Sequence, residues 1–428
     1  MTPLSLETLA WPVRRTPALH GHVHPDFAGV ADALRAQLRA YPGGAAVCVY
    51  HRDECVVDLW GGERHADGTP WERDTMSPSF STTKGVATTA LHILVDRALI
   101  DYDDRVAAHW PEFGQAGKSE ITVRQVLAHQ SGLYHIRQMI DRADRMRDWQ
   151  HMIQVIERTP PIHEPGTHTG YHGLTYGFLV GELIQRVSGG SFSAFVRDAI
   201  ATPLGLDGLY VGVPAAELPR AASLIWPRRG WLVPGSRTFA QLPHGRIGAL
   251  PVATVQRGLD LVGLRVDLES ILDSLAPRGI DEFDFGAAET LQASIPAANG
   301  LFTARSLARM YATLAGDGAI DGVRLLSPET LARATEVQPP ADGRVVIPFD
   351  MRWRLGYHAV FTTRGVPKRA FGHFGFGGSG AFADPRRRLA VGLVVNSGMG
   401  TPFGDMRIVR IGGAAIACAN RHRARAAA

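Results

Sequence analysis

β-rich runs stand at the two ends of this 428-residue chain and helical patterns fill its middle. That arrangement limits the folds open to it. Residues 45–52 (AAVCVYHR) and 54–62 (ECVVDLWGG) flank a polar corner from Arg52 to Glu54, the pattern of an antiparallel hairpin. Residues 353–361 (WRLGYHAVF), 379–385 (SGAFADP) and 389–397 (LAVGLVVNS) read as strands again near the other end. Strands so far apart share one sheet only if the chain closes on itself, with the intervening helices as separate layers. The expected class is α+β. Residues 1–110 and 296–428 form a unit with an antiparallel sheet, and residues 111–295 form a mostly helical second domain.

Helical spacing predicts a helix over residues 26–39 and a strongly apolar one from Ser81 to Ile100, stopped by the Asp-rich turn 101–104. Residues 121–205 read as mostly helical, as do 304–315, 328–334 and a terminal helix from about Asp405. Residues 208–295 are punctuated by Pro and Gly and carry Trp and Arg around IWPRRGWLVPG, with one helix near 263–275. A segment this long and irregular reads as a variable lid or wall over a site.

A hydrophobic content of 45% excludes disordered and collagen-like chains. Of 45 basic residues only three are lysines (Lys84, Lys118 and Lys368), leaving 42 arginines by subtraction. They are spread among 41 acidic residues, and the longest basic run is Arg386 to Arg388, so no nucleic-acid partner is expected. No stretch approaches 18 apolar residues and the N-terminus has no basic region followed by an apolar one, so no membrane partner and a cytoplasmic location are expected. Cys48, Cys55 and Cys418 have no CxxC spacing and sit in apolar settings, which predicts reduced, buried thiols.

Chemistry concentrates in three segments. Phe80-Ser81-Thr82-Thr83-Lys84 opens the apolar helix, and residues three apart on a helix share a face. The serine hydroxyl and the lysine amine can therefore touch, beside the unpaired N–H groups of the helix start. The rival reading is ordinary helix capping by Ser81. Lysine as a base near neutral pH needs a pKa lowered by about three units, which burial inside an apolar helix supplies. The second segment runs from Pro165 through Thr167, His168, Tyr171 and His172 to Gly173. Its tyrosine can bring a phenol to the serine and relay a proton, provided a cation lowers its pKa. Tyr176 competes for that role. The third, Phe371 to Pro385, sets five glycines around His373, a density that lets backbone N–H groups approach a ligand, as an oxyanion hole requires. A plain glycine-rich hairpin is the alternative.

In this order, Ser-x-x-Lys, a tyrosine after Pro-Gly and a late His-x-Gly loop resemble the serine β-lactamase-related family, closest to its class C and D-alanyl-D-alanine carboxypeptidase branch and to the family VIII carboxylesterases. Further resemblance lies in ITVRQVLAHQSGL, in GFLVGELIQRVSG and in IPAANGLFTARSLARMYATLAGDG, so that it covers most of residues 25–205 and 295–400. The resemblance implies a β-lactamase/transpeptidase-like fold with the site between its two domains. It implies Ser81 as nucleophile, Lys84 as its base and Tyr171 as proton shuttle, with an oxyanion hole from the backbone N–H of Ser81 and one near Phe376.

Two departures bear on substrate. The family's Tyr-x-Asn reads Tyr171-His172-Gly173, and its Lys-Thr-Gly reads His373-Phe374-Gly375. The ammonium that would grip a carboxylate is replaced by a largely neutral imidazole. His373, Gly375, Tyr134 and His172 are the expected substrate contacts, with core packing as the alternative for Tyr134. No cofactor or metal is expected: His20, His22 and His24 alternate, and His163, His168 and His172 lie close together, but no cysteine or HExxH accompanies them. Asn299 reads as a turn residue.

The expected function is a serine carboxylesterase acting on short- to medium-chain carboxylic esters through an acyl-serine intermediate, with a small-molecule ester as partner. The alternatives are a β-lactamase, a D-amino-acid peptidase or amidase, an acyltransferase, or a non-catalytic ligand sensor.

Overall fold

The computed structural model describes residues 17–225, 267–398 and 405–426. The chain does close on itself. A seven-stranded antiparallel sheet takes three strands from the N-terminal end, β1 (Leu19–Val23), β2 (Gly44–His51) and β3 (Glu54–Gly62). Four come from the C-terminal end, β4 (His358–Ala359), β5 (Phe371–Phe374), β6 (Gly380–Asp384) and β7 (Leu389–Val395). Their order is β1-β3-β2-β7-β6-β5-β4, and the seam runs from Ala45 opposite Val395 to His51 opposite Leu389.

The β2–β3 corner is a two-residue turn in which Arg52 and Asp53 both have positive φ, the twist a tight hairpin needs. Two strands were missed in the sequence. β1 is an exposed edge whose alternating histidines carry no apolar pattern, and β5 is only four residues long and half glycine-rich loop. Cys55 departs from the buried-thiol expectation. It lies exposed beside the uncovered hairpin corner, its sulfur 3.7 Å from that of buried Cys48.

Side chains alternate across the sheet and sort into two layers. Val47, Val49, Val391 and Leu393 meet helices α1 (Ala28–Ala40) and the terminal Met406–Ala426 on one face. Ala46, Cys48 and Ala390 face the other way, toward the helix Ala304–Ala315. These small residues let that helix approach closely: a Cβ on Gly392 would lie 2.5 Å from the Ala304 carbonyl oxygen. Beside it, against β5 and β6 of the same face, lies α2 (Thr82–Asp96), buried on every side from Thr82 to Val95, with the helix Thr175–Ser188 on its far side. A helix apolar all round must be enclosed in this way. It ends four residues before the expected Ile100, because Ala98 turns at φ 55°. Of the proposed lid, residues 226–266 lie outside the described residues. The helix expected near 263–275 spans α3 (Leu268–Leu275).

Candidate active site

Ser81 stands at the first turn of α2, where the enclosed helix emerges between the sheet and the helical block. Phe80, immediately before it, holds φ at 44°, a costly conformation for a residue with a Cβ. Its ring packs edge-on against Phe376 and against Phe285. The Ser81 hydroxyl makes no capping bond to its own helix, so the capping alternative falls away. It faces two partners instead: Lys84 Nζ at 3.1 Å and Tyr171 Oη at 2.9 Å.

Lys84 has no exposed surface, and Nζ also donates to the carbonyl oxygens of Gly173 (2.7 Å) and Ala297 (3.0 Å). Burial drives its pKa well below the usual lysine value. Tyr171 behaves differently from expectation. Burial pushes its phenol well up, and the hydrogen bond to Ser81 offsets only part of that. The Lys84 amine, Nζ, lies 5.0 Å from the centre of the tyrosine ring. Tyr176 is out of contention, its hydroxyl 2.6 Å from Thr88 Oγ1.

The loop carrying Tyr171 is fixed by histidines used as scaffold. His172 Nδ1 bonds the Gly170 carbonyl at 2.6 Å, and Nε2 accepts from Ser131 Oγ (2.6 Å) and the Leu133 N–H (3.3 Å). With both ring nitrogens spent, His172 holds the loop and is not free to contact substrate, which corrects its expected role. Tyr134 packs under the same loop against Gly170, His163 and His172. Its core-packing alternative is the one observed.

His373 is buried on β5, its ring roughly parallel to that of Tyr171 with centroids 6.4 Å apart and its Nε2 without a protein partner. Burial, the neighbouring His358 and Lys84 all lower its pKa, so the imidazole is neutral. Gly375 follows and touches the start of α2, where a Cβ would meet the Ser79 carbonyl at 2.3 Å and Thr82 N at 3.2 Å. Only glycine fits there. The next residue, Phe376, packs its ring on that of Phe80, the neighbour of Ser81. Among the described residues neither backbone N–H, of Ser81 or of Phe376, bonds a backbone carbonyl.

Several residues of the site carried no clear sequence signal. Gly173 was notable only for lacking a side chain, yet its carbonyl holds Lys84. A Cβ there would meet Leu275 Cδ2 at 2.3 Å and the Ser274 carbonyl at 2.7 Å, so α3 fills the space an asparagine would need. Ser274 Oγ donates to the Tyr171 carbonyl (2.6 Å) and accepts the Gly173 N–H (2.9 Å). Trp353 stacks on Tyr171 at 5.7 Å and 13°. A cavity lined by Tyr171, Trp353, Phe349, Val345, Ile347 and Arg352 adjoins it. Asn299 is a turn residue, as expected, bonding Ile295 N and the Thr290 and Ala293 carbonyls, and that turn presents Ala297 to Lys84.

The sequence profile of the Beta-lactamase family matches residues 31–415. The chain belongs to the β-lactamase family. Like other family members it is a serine hydrolase of the esterase/β-lactamase type, and its fold is β-lactamase/transpeptidase-like. It is 36% identical over 397 residues to the esterase/β-lactamase LipL of Mycobacterium tuberculosis, covering 88% of this chain and 82% of that protein. The crystal structure of a family VIII carboxylesterase superposes with a TM-score of 0.78 at 31% identity, over 94% of this chain and all of the other. A penicillin-binding protein homologue from Caulobacter crescentus gives 0.76 at 33% identity over the same shares. No helix among the described residues is long and apolar enough to cross a membrane.

Proposed function

We propose that this chain is a carboxylesterase that hydrolyses short- to medium-chain carboxylic esters through an acyl-Ser81 intermediate. One observation carries the reading: the amine of buried Lys84 and the phenol of Tyr171 converge on one hydroxyl, that of Ser81.

A neutral lysine accounts for all three of its contacts. Its two N–H bonds go to the Gly173 and Ala297 carbonyls, and the lone pair is left pointing at Ser81 Oγ. In acylation Ser81 Oγ attacks the ester carbonyl while its proton passes to Lys84, and the carbonyl oxygen takes its charge to the N–H groups of Ser81 and Phe376. Lys84 is now a cation beside the Tyr171 ring, which makes the phenol a stronger acid at the moment it is needed. Tyr171 protonates the departing alkoxide, a stronger base than phenolate, and recovers a proton from Lys84. Water repeats the cycle to release the acid, its proton passing through Tyr171 as the Ser81 oxygen leaves.

What surrounds the triad supports ester over β-lactam. Neutral His373 stands where the family places an ammonium, and α3 fills the place of the family's asparagine beside Gly173. The apolar side of the cavity at Trp353 and Phe349 suits an uncharged chain. β-Lactam turnover on the same machinery is the second reading, favoured by the dual name of the M. tuberculosis relative.

The test is a panel of p-nitrophenyl esters of increasing chain length run beside nitrocefin and a D-alanyl peptide on purified protein. Ester turnover should lead, and Ser81→Ala should remove it. Faster nitrocefin or peptide turnover overturns the substrate, and activity surviving in Ser81→Ala overturns the nucleophile.

A further inference from the structure

Outside the catalytic machinery, residues from the two ends of the chain meet at a cluster of imidazoles around one carboxylate. His24 and Asp26 follow β1 and flank the start of a short turn, and His422 projects from the terminal helix Met406–Ala426. His422 Nδ1 lies 2.9 Å from Asp26 Oδ2, and the rings of His24 and His422 meet edge to face at 5.2 Å. Phe27 packs against both rings. One ligand atom from each of His24, Asp26 and His422 lies within 4.8 Å of the other two, the one such group of three among the described residues.

We propose that His24, Asp26 and His422 form a binding site for one divalent transition-metal ion, Zn²⁺ foremost, which fastens the N-terminal strand to the C-terminal helix. Two imidazole nitrogens and a carboxylate oxygen are a ligand set Zn²⁺ accepts, with water in the fourth position. Around tetrahedral zinc such donors stand about 3.3 Å apart, given bonds of about 2.0–2.1 Å. The 2.9 Å pair is already near that edge, and the remaining separations, within 4.8 Å, close as the ion is bound.

His24 Nδ1 accepts the Asp26 N–H at 3.2 Å, and His422 Nδ1 and Asp26 Oδ2 share a hydrogen bond at 2.9 Å; a metal held among the three replaces these bonds with its own. A third imidazole, His51, lies edge-on to His422 at 5.3 Å. One dication meets the donor atoms of the rings and the single carboxylate charge together. His422 and Asp26 keep 27% and 14% of their side-chain surface exposed, which leaves the ion a way in and room for its water. A metal here adds its binding free energy to folding, because only the closed chain assembles the ligands.

The experiment uses the full chain, stripped with EDTA and desalted, titrated with ZnCl₂ by calorimetry and melted with and without the ion. One Zn²⁺ per chain and a rise in Tm are expected. Asp26→Asn, which keeps shape and loses charge, and His422→Ala should each lose both signals. His22→Ala, on the exposed edge strand and outside the cluster, should keep both. Ester turnover should be unchanged in all three variants, which reports that they fold. Absence of stoichiometric binding, or binding equal in wild type, Asp26→Asn and His422→Ala, overturns the proposal and leaves an ion pair only.

Discussion

Lys84 and Lys118 occupy different regions but are built alike. Both lack exposed surface, and both donate to two backbone carbonyls, Gly173 and Ala297 for the first, Glu157 and Thr159 for the second, the latter pair both at 2.8 Å. Burial lowers both pKa values, that of Lys118 to about 8 with the Glu157 carboxylate pulling the other way. They differ in the third direction. Lys84 faces the hydroxyl of Ser81, whereas Lys118 faces the ring of Phe113 at 5.4 Å. A depressed lysine is therefore a common product of burial, and what makes one of them a candidate base is the group its lone pair meets. Every ion pair of an acidic group among the described residues uses arginine or histidine, so neither lysine is held by a salt bridge.

The largest effect expected is that of Ser81→Ala, which removes the atom the two regions differ by. Turnover of a p-nitrophenyl ester should fall by about 10⁵-fold or more. Lys84→Arg comes next. Arginine reaches the same place but never gives up its proton near neutral pH, so kcat should fall by at least about 10³-fold. The wild-type rate should also decline as pH falls through the lowered pKa of Lys84, because the ammonium form has no lone pair for Ser81. Wild-type rates in Lys84→Arg, or a flat acid limb, would break the comparison at its centre.

Tyr171→Phe follows, with the stacked ring retained and only the hydroxyl lost. A drop in kcat of about 10²- to 10⁴-fold is expected, with little change in the melting temperature. Gly173→Ala should cost less in rate but more in structure. Its methyl would press on the backbone of α3 at Ser274 and displace a carbonyl that orients Lys84. About a 10- to 100-fold loss of kcat and about 1–3 kcal/mol of stability are expected, read by steady-state kinetics and by denaturant melts. An unaffected Gly173→Ala would show that the two carbonyls do not set the amine's direction.

How far these contacts were legible in the sequence depends on how local they are. Ser81 and Lys84 lie three apart on one helix, so spacing alone predicts their meeting. The sheet was legible at β2, β3, β6 and β7, whose alternating small and apolar residues are long enough to read. It was illegible at β1 and β5, which depend on neighbours for their place. The partners that fix Lys84 are backbone carbonyls at residues 173 and 297, and a carbonyl leaves no mark in the residue types. His172 shows the reverse error. An imidazole beside Tyr171 reads as a ligand contact until Ser131, Leu133 and Gly170 are seen to use both its nitrogens. The raised pKa of Tyr171 was equally hidden, because it comes from enclosure by Trp353 and the loop, residues distant in sequence.

The smallest effect expected belongs to the other lysine, and it separates burial from chemistry. Lys118→Met leaves the Glu157 and Thr159 carbonyls without their donor, a loss of about 1–3 kcal/mol taken alone. It also removes a charge that is costly to bury, so the net loss of stability should be near 1 kcal/mol or below. The two contributions come apart with pH. An unfolded Lys118 titrates near its usual 10.5 and the folded one near 8, so between those values the unfolded chain binds more protons and native stability rises with pH. Buried tyrosines with raised pKa values oppose that rise as pH nears 10, equally in both proteins, so the readout is the difference: denaturant melts from pH 8 to about 9.5 should show wild-type stability gaining on that of Lys118→Met as pH rises. Ester kcat should stay within about twofold of wild type throughout, as for other substitutions away from reacting groups. A collapse of kcat in folded Lys118→Met would mean that the two buried lysines are coupled, and that the hydroxyl in the third direction is not what sets them apart.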